Sequence, residues 1–183
     1  MVGKLPGTPV GFVRMTVDQL IPLTNDAWGL ESSCFVCEPR NAAGLGIPFH
    51  HDVTGKRVLA DFSLDERFSG APRYLHGGVL LAILDEAMAW ATIAVAGSFA
   101  VTQETTSRFE HPVRVGEQHS VCAEIVEAGD RVIHTRGVIT RVDGRRCVNA
   151  TATFVPLDLE QAGAAAGAEI TGDAVAFTRG GRR

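Results

Sequence analysis

The stretch 79–96 constrains the fold more than any other part of the chain. Among its eighteen residues only Asp85, Glu86 and Thr92 carry polar side chains. A helix of this composition is apolar on every face and has to be buried almost all round. A buried carboxylate is costly without a partner, so the acidic pair in the middle of the helix indicates a specific role.

A membrane-spanning helix is the first alternative for this stretch. Eighteen helical residues rise about 27 Å, close to the thickness of a bilayer's hydrocarbon core. Asp85 and Glu86 at mid-span argue against insertion, because one Asp at the helix centre costs about 2.5–3.5 kcal/mol and alanine returns little. We therefore expect no membrane partner and a helix wrapped by a sheet of the same protein.

The overall composition excludes several classes of protein. The chain has 183 residues, 45% of them hydrophobic, a net charge of −4 and scattered arginines. It therefore fits one globular domain with no nucleic-acid partner. The first residues lack the apolar run of a signal peptide, so we expect a cytoplasmic location. Four cysteines are too few for a disulfide framework at this length and are expected to be reduced.

Strand patterns flank the helix on both sides. Two runs joined by a turn at 53–56 precede it, and four runs with short connections follow it. These runs are 46–52, 57–64, 99–110, 118–127, 131–141 and 146–157. This order predicts an α+β fold in which an antiparallel sheet curls around one long helix.

Both ends of the chain give weaker patterns. Residues 1–33 hold Gly, Pro and Asp breakers around short apolar groups, with a brief helix possible near 18–20. Residues 158–183 are rich in Ala and Gly, with little bulky apolar surface to offset the entropy of ordering. We expect an N-terminal extension at 1–33, the folded domain at 34–157 and a mobile tail at 158–183.

Cys34 and Cys37 have the C-x-x-C spacing of half a zinc site or of a redox pair, and His50 and His51 follow them. No second C-x-x-C and no His-x₃₋₅-His completes a zinc pattern. We therefore expect no metal and no organic cofactor.

A series of short motifs runs along residues 34–157. It comprises Cys34-Phe35-Val36-Cys37 with Gly44-Leu45, His76-Gly77-Gly78, Asp85 nine residues after the histidine, Thr102, and Pro112-Val113 with Gly116. Together they resemble the hotdog-fold acyl-CoA thioesterases, specifically their PaaI-like and Them4-like branch. The resemblance implies a five- or six-stranded antiparallel sheet around one helix, and a homodimer with sheets joined edge to edge, often paired into a homotetramer. It also implies hydrolysis of an acyl-CoA substrate.

The resemblance also implies roles for individual residues. The acid at Asp85 acts as nucleophile or general base, the backbone N–H of Gly77 polarises the thioester carbonyl, and Thr102 helps to place water or the acid. The family's Asn or Gln ahead of the His-Gly-Gly motif is replaced here by Ser69-Gly70, so Ser69 is a weak substitute in substrate binding.

The residues support this chemistry without the resemblance. Thioester hydrolysis needs a base or nucleophile and donors for the developing oxyanion. Gly77 and Gly78 lack side chains, so a substrate carbonyl can approach the N–H groups of the first helical turn. Asp85 lies eight residues after Gly77, about 12 Å along the axis, so one carbonyl cannot contact both. An enzyme that uses both features therefore has to be an obligate homodimer with active sites at the interface.

Some roles and functions remain open. A buried Asp85 needs a hydrogen bond to stay ionised, and Thr102 is the candidate donor. The alternative to a reacting acid is a structural carboxylate that accepts hydrogen bonds and fixes the fold. His76 is expected to set the glycine turn, with direct proton transfer as the alternative. Glu86 points about 100° away from Asp85, so only one of them can face the site. A non-catalytic acyl-CoA-binding or scaffold protein is the alternative function, ahead of a hotdog hydratase or dehydratase, whose Asp-x-Asn-Pro-x-His motif is absent.

Overall fold

The computed structural model describes residues 20–28 and 32–181. A long helix, α1 (Gly77–Ala94), lies at its centre. The strands of the described residues are β1 (Leu20–Leu23), β2 (Phe49–Asp52), β3 (Arg57–Phe62), β4 (Ser69–Ala71), β5 (Tyr74–Leu75), β6 (Ala100–Phe109), β7 (His119–Ala128), β8 (Ile133–Arg141) and β9 (Arg146–Pro156). Seven of them form one antiparallel sheet in the order β1-β2-β3-β7-β8-β9-β6, and β4 and β5 form a small hairpin. The expected α+β fold, with an antiparallel sheet around one helix, is confirmed.

The sheet has seven strands rather than five or six because Leu20–Leu23 pairs with β2 as an edge strand. Pro22 lies within this four-residue strand. Proline has no N–H to donate to a neighbouring strand, so within a sheet it is tolerated mainly on an edge strand. So short a strand gives no alternating pattern. The predicted helix near 18–20 is contradicted at Leu20, and residues 18 and 19 lie outside the described residues.

The inner face of the sheet packs on α1. Ile83, Leu84 and Met88 of the helix are fully buried in the same core as Val121 and Phe154 of the sheet. The helix is long and apolar enough to cross a membrane by length and composition. In this structure the sheet supplies its apolar surroundings instead.

One glycine fixes how closely helix and sheet approach. A Cβ at Gly137 in β8 would lie 3.0 Å from Leu84 Cδ2 and 3.3 Å from Met88 Cγ. These separations are shorter than ordinary carbon contacts, so the bare backbone at this position lets α1 lie against β8.

The end of α1 follows the sequence prediction. Gly97 takes a positive φ of 63°, the left-handed conformation that glycine adopts at low cost after a helix. Ser98 then donates its backbone N–H to the Thr92 carbonyl at 2.8 Å, which closes the last turn before β6.

The C-terminal segment is structured up to residue 181, where the sequence predicts a mobile extension. A second helix, α2 (Leu159–Ala166), begins with a capping box formed by Asp158 and Gln161. A 3₁₀ helix (Gly172–Phe177) follows. The expectation needs correction because this segment covers Phe99, which lies just ahead of β6.

The C-terminal segment covers Phe99 with a few apolar side chains of mixed size. Phe99 packs with Ala162 and Ile170, and its ring centroid lies 5.7 Å from that of Phe177. Composition alone does not reveal this packing, because a few apolar side chains are enough to bury the single ring of Phe99.

Candidate functional site

The candidate site begins at the first turn of α1. His76 is the N-cap residue, and its Nδ1 accepts the N–H of Gly78 at 2.9 Å. The expectation that His76 hydrogen-bonds nearby backbone and sets the glycine turn is thus confirmed.

The two glycines after His76 differ in what they offer. The N–H of Gly78 is already bonded to the imidazole, whereas the N–H of Gly77 has no hydrogen-bond acceptor within the described ranges. The N–H of Gly77 is therefore available to a substrate carbonyl in this structure, and the substrate contact of Gly78 stays a prediction. The Gly77 N–H is one of the unpaired donors at a helix N-terminus, where the helix dipole favours negative charge.

Absent side chains keep this turn open. A Cβ at Gly78 would lie 3.1 Å from Nδ1 of His76. A Cβ at Gly70 would lie 3.0 Å from the Cα of His76. A Cβ at Gly77 would lie 3.5 Å from the ring of Phe109, in ordinary contact. Glycine at 70 and 78 thus gives His76 room to cap the helix.

Asp85 lies two turns further along α1 and is partly buried. Thr102 Oγ1, on β6, donates a hydrogen bond to Asp85 Oδ1 at 2.8 Å. The donor predicted for this carboxylate is therefore present. A shallow groove opens beside Asp85, lined by Leu81 and Ala82 of the helix and by Thr105 and Ser107 of β6.

A β-bulge in β6 aims Thr102 at the helix. The register between β6 and β9 shifts between Thr102 and Glu104. Strict alternation would put Thr102 on the face opposite Thr105 and Ser107, because side chains on a strand alternate with a period of two. The extra residue brings Thr102 to the same side as these two, which is a recurrent use of bulges near active sites.

Strand β6 follows α1 from Gly77 to Asp85. Phe109 lies beside the helix start, Thr105 and Ser107 line the middle, and Thr102 reaches Asp85. The partly exposed side of α1 and the strand therefore form one continuous surface, with the Gly77 N–H and the Asp85 carboxylate about 12 Å apart along the helix.

The outer edge of β6 is unpaired within the described residues. The strand is ten residues long, its only sheet neighbour is β9, and most of its side chains are exposed, including Val101 at 45% and Phe109 at 50%. An exposed strand edge of this length is a template for pairing with another chain.

Ser69, the predicted substitute for an amide side chain, has a local partner. Its hydroxyl donates to the carbonyl oxygen of Glu66 at 2.7 Å, which closes a 3₁₀ turn (Glu66–Phe68) ahead of β4. Its contact with substrate stays a prediction.

Glu86 faces a different set of groups from Asp85. One ligand atom each from Cys34, Cys37 and Glu86 lies within 4.8 Å of the others. Burial raises the pKa of Glu86 to about 7. A hydrogen bond with Cys37 lowers the pKa of Cys34 to about 5, and the same pairing raises the pKa of Cys37.

Glu86, the third member of the cysteine cluster, is not predicted from the sequence. His50 and His51 follow the C-x-x-C pair in the chain, but the ligand cluster holds neither of them. The available signal was the second acid on an otherwise apolar helix, which also needs a partner when it is buried.

Comparison with known proteins finds a match to one family model. Residues 73–148, which include the helix start, Asp85 and Thr102, match the model of the thioesterase superfamily. No protein of curated function matches the chain in sequence.

Solved structures are also similar to this chain. A crystal structure of a thioesterase superfamily protein is similar at a TM-score of 0.65 and 26% identity, covering 71% of this chain. This chain spans 64% of the length of that protein.

Two further thioesterase-fold structures contain coenzyme A compounds. An acyl-CoA hydrolase from Staphylococcus aureus, crystallised with butyryl-CoA, CoA and CoA disulfide, has a TM-score of 0.55 and 24% identity over 59% of this chain and 67% of its own. A Streptococcus mutans protein bound to acetyl-CoA has a TM-score of 0.53 and 17% identity over 55% of this chain and 81% of its own. These likenesses confirm the hotdog fold.

Proposed function

We propose that this hotdog protein hydrolyses an acyl-CoA thioester to a free carboxylic acid and CoA, as a member of the PaaI-like and Them4-like branch. The observation that carries the proposal is the Asp85 carboxylate, which Thr102 holds by a 2.8 Å hydrogen bond beside an open groove. The match of residues 73–148 to the thioesterase superfamily model and the CoA compounds in structures of the same fold support the choice of substrate.

Asp85 is the reacting acid of the proposed mechanism. As general base it takes a proton from a water molecule that attacks the thioester carbonyl carbon, and as nucleophile it attacks that carbon itself. In either case the carbon–sulfur bond breaks, and CoA leaves as a thiolate that takes up a proton. In the nucleophilic route the acyl group is left on Asp85 as a mixed anhydride, which water then hydrolyses to release the carboxylic acid and restore the carboxylate. Thr102 fixes the orientation of the carboxylate throughout.

The Gly77 N–H is the proposed oxyanion donor. It points from a helix N-terminus and lacks a partner within the described residues, so it is free to bond the carbonyl oxygen as negative charge develops. His76 supports this role by holding the adjacent Gly78 N–H in place.

We further propose that each active site combines two chains. Gly77 and Asp85 of one helix are about 12 Å apart, too far for both to contact one carbonyl. The unpaired edge of β6 and the small residues Ala82 and Ala89 on α1 are suited to the approach of a second copy. In a two-fold dimer, Asp85 of one protomer faces Gly77 of its partner, and such dimers can pair further into tetramers.

The experiment is a thiol-release assay on short, medium, long and aryl acyl-CoAs, comparing the wild type with Asp85→Asn. We expect turnover on at least one substrate class and a loss of about 10²–10⁴-fold in the variant, the usual contribution of a general acid or base. Asp61→Asn is the matched control, because Asp61 also accepts a hydroxyl hydrogen bond, from Ser120 at 2.6 Å, but lies on β3. Binding of acyl-CoA without thiol release would favour the non-catalytic alternative.

A further inference from the structure

The cluster of Cys34, Cys37 and Glu86 lies outside the proposed thioesterase site. Cys34 and Cys37 flank a turn, and Glu86 projects from the middle of α1, so the cluster joins two segments that are distant in sequence. The three ligand atoms lie within 4.8 Å of one another, and both cysteines are free and partly buried. No step of the proposed hydrolysis uses any of these groups.

The hydrogen bonds at the two sulfurs suit thiolate ligands. The N–H of Val36 is 3.3 Å from Cys34 Sγ, and the side-chain amide of Asn25 donates to Cys37 Sγ at 3.6 Å. Donors that bond to a ligand atom fix its orientation and offset its negative charge, which is what supporting residues do around metal ions. Both sulfurs are thus held in place before any ion binds.

The donor set matches the coordination preferences of zinc. Zn²⁺ takes cysteine sulfur and carboxylate oxygen in tetrahedral geometry, and C-x₂-C is its usual cysteine spacing. Neighbouring ligand atoms around tetrahedral zinc are roughly 3.5–4 Å apart. The ligand atoms here need to move by only about 1 Å to reach that spacing.

We propose that Cys34, Cys37 and Glu86 bind one Zn²⁺ ion, with water in the fourth position. Any thiol or carboxyl group of the three that still carries a proton releases it to solvent on binding. The ion would tie the Cys34–Cys37 turn to α1 one residue away from Asp85. The sequence predicts no metal because a second cysteine pair is missing, whereas the helix supplies the third ligand instead.

The test is a metal titration of the full chain, kept reduced and first treated with a chelator. We expect one Zn²⁺ per chain to be held in competition with a chromophoric chelator of micromolar affinity. Co²⁺ in the same site is expected to show a thiolate-to-metal charge-transfer band, since the donor set contains sulfur. Zinc is also expected to raise the melting temperature of the wild type, because an ion that binds only the folded state stabilises it.

Variants separate this site from adventitious binding. Cys34→Ser should abolish the charge-transfer band, and Glu86→Gln should weaken zinc binding more than about tenfold, because loss of even a supporting partner costs 10–100-fold. Cys122→Ala is the matched control, since it removes a buried thiol of β7 outside the cluster. Zinc binding by the wild type no tighter than by Cys34→Ser would overturn the proposal. So would a Cys34–Cys37 disulfide that forms in preference to zinc binding.

Discussion

Replacing Thr102 by valine tests how much the Asp85 carboxylate depends on its one hydroxyl donor. Valine keeps the shape of threonine and removes only the O–H group, which donates over 2.8 Å to Asp85. A hydrogen bond to a charged group contributes about 1.5–3 kcal/mol. Each 1.36 kcal/mol is a factor of ten in rate, so we expect kcat/KM to fall about 10- to 150-fold.

The assay is the initial rate of thiol release on the best substrate of the acyl-CoA panel. Thr102→Ser keeps the hydroxyl and should retain most of the activity. Thr106→Val is the matched control, because Thr106 lies on the same strand but lines a different pocket, with Glu104 and with His134 of β8, away from the groove beside Asp85. Melting temperatures should change little in all three variants. An unchanged kcat/KM for Thr102→Val would refute the argument that this hydrogen bond positions the acid.

The other predictions concern the stability of the fold. Gly137→Ala should lower the free energy of unfolding by about 1–3 kcal/mol, because the added methyl group would overlap Leu84. Chemical denaturation checks this prediction, and an unchanged midpoint would contradict it. Phe177→Ala should lower the free energy of unfolding by about 1–2 kcal/mol, because the ring of Phe177 packs on Phe99. The loss is smaller than for a fully buried phenylalanine. An unchanged free energy of unfolding would show that the C-terminal segment does not pack stably on Phe99. Burial lowers the pKa of His119 in the folded chain. Below about pH 6.5 histidine in the unfolded chain therefore binds a proton that the buried His119 does not take up. The free energy of unfolding thus falls as the pH drops. His119→Phe should flatten this dependence between pH 7.5 and 5.5 in denaturation curves, whereas a slope equal to that of the wild type would exclude His119 as its source.

The long helix and the strands after it could be predicted from the sequence because each has a local pattern. An apolar stretch interrupted by two acids is unusual enough to place the core helix, and Asp143-Gly144 marks the hairpin between β8 and β9. Glycine at 97 ends α1 with the positive φ that the sequence indicates. These features depend on neighbours in the chain, so periodicity and turn chemistry are sufficient.

Features set by tertiary contacts could not be predicted in this way. The edge strand Leu20–Leu23 forms because its backbone pairs with β2. Helix α2 is held in place because Ala162 packs on Phe99. Neither contact leaves a periodic pattern in so short a segment.

The candidate site shows the same division. The spacing of His76, Gly77 and Asp85 is visible along the chain, and the bond from Thr102 to Asp85 follows from the family resemblance. The bulge that turns Thr102 towards the helix is a property of the pairing between β6 and β9, and it leaves no local sequence pattern. The contact of Glu86 with the cysteine pair is likewise formed only when the chain folds.

The most direct test of the composite active site is complementation between two inactive variants. Gly77→Pro removes the N–H group that is proposed to donate to the oxyanion. Residue 77 is the first position of the helix, where proline is well tolerated. The backbone of His76, with φ −66° and ψ 134°, already has the conformation favoured before proline. Asp85→Asn removes the acid. Each variant alone should be inactive.

Co-expression of the two variants, with different affinity tags to isolate mixed dimers, is the decisive measurement. A mixed dimer has one site with both groups intact and one with neither, so a statistical mixture should recover about a quarter of wild-type turnover. Isolated mixed dimers should recover about half. Mixed dimers as inactive as either parent would contradict an active site built from Asp85 of one protomer and Gly77 of its partner.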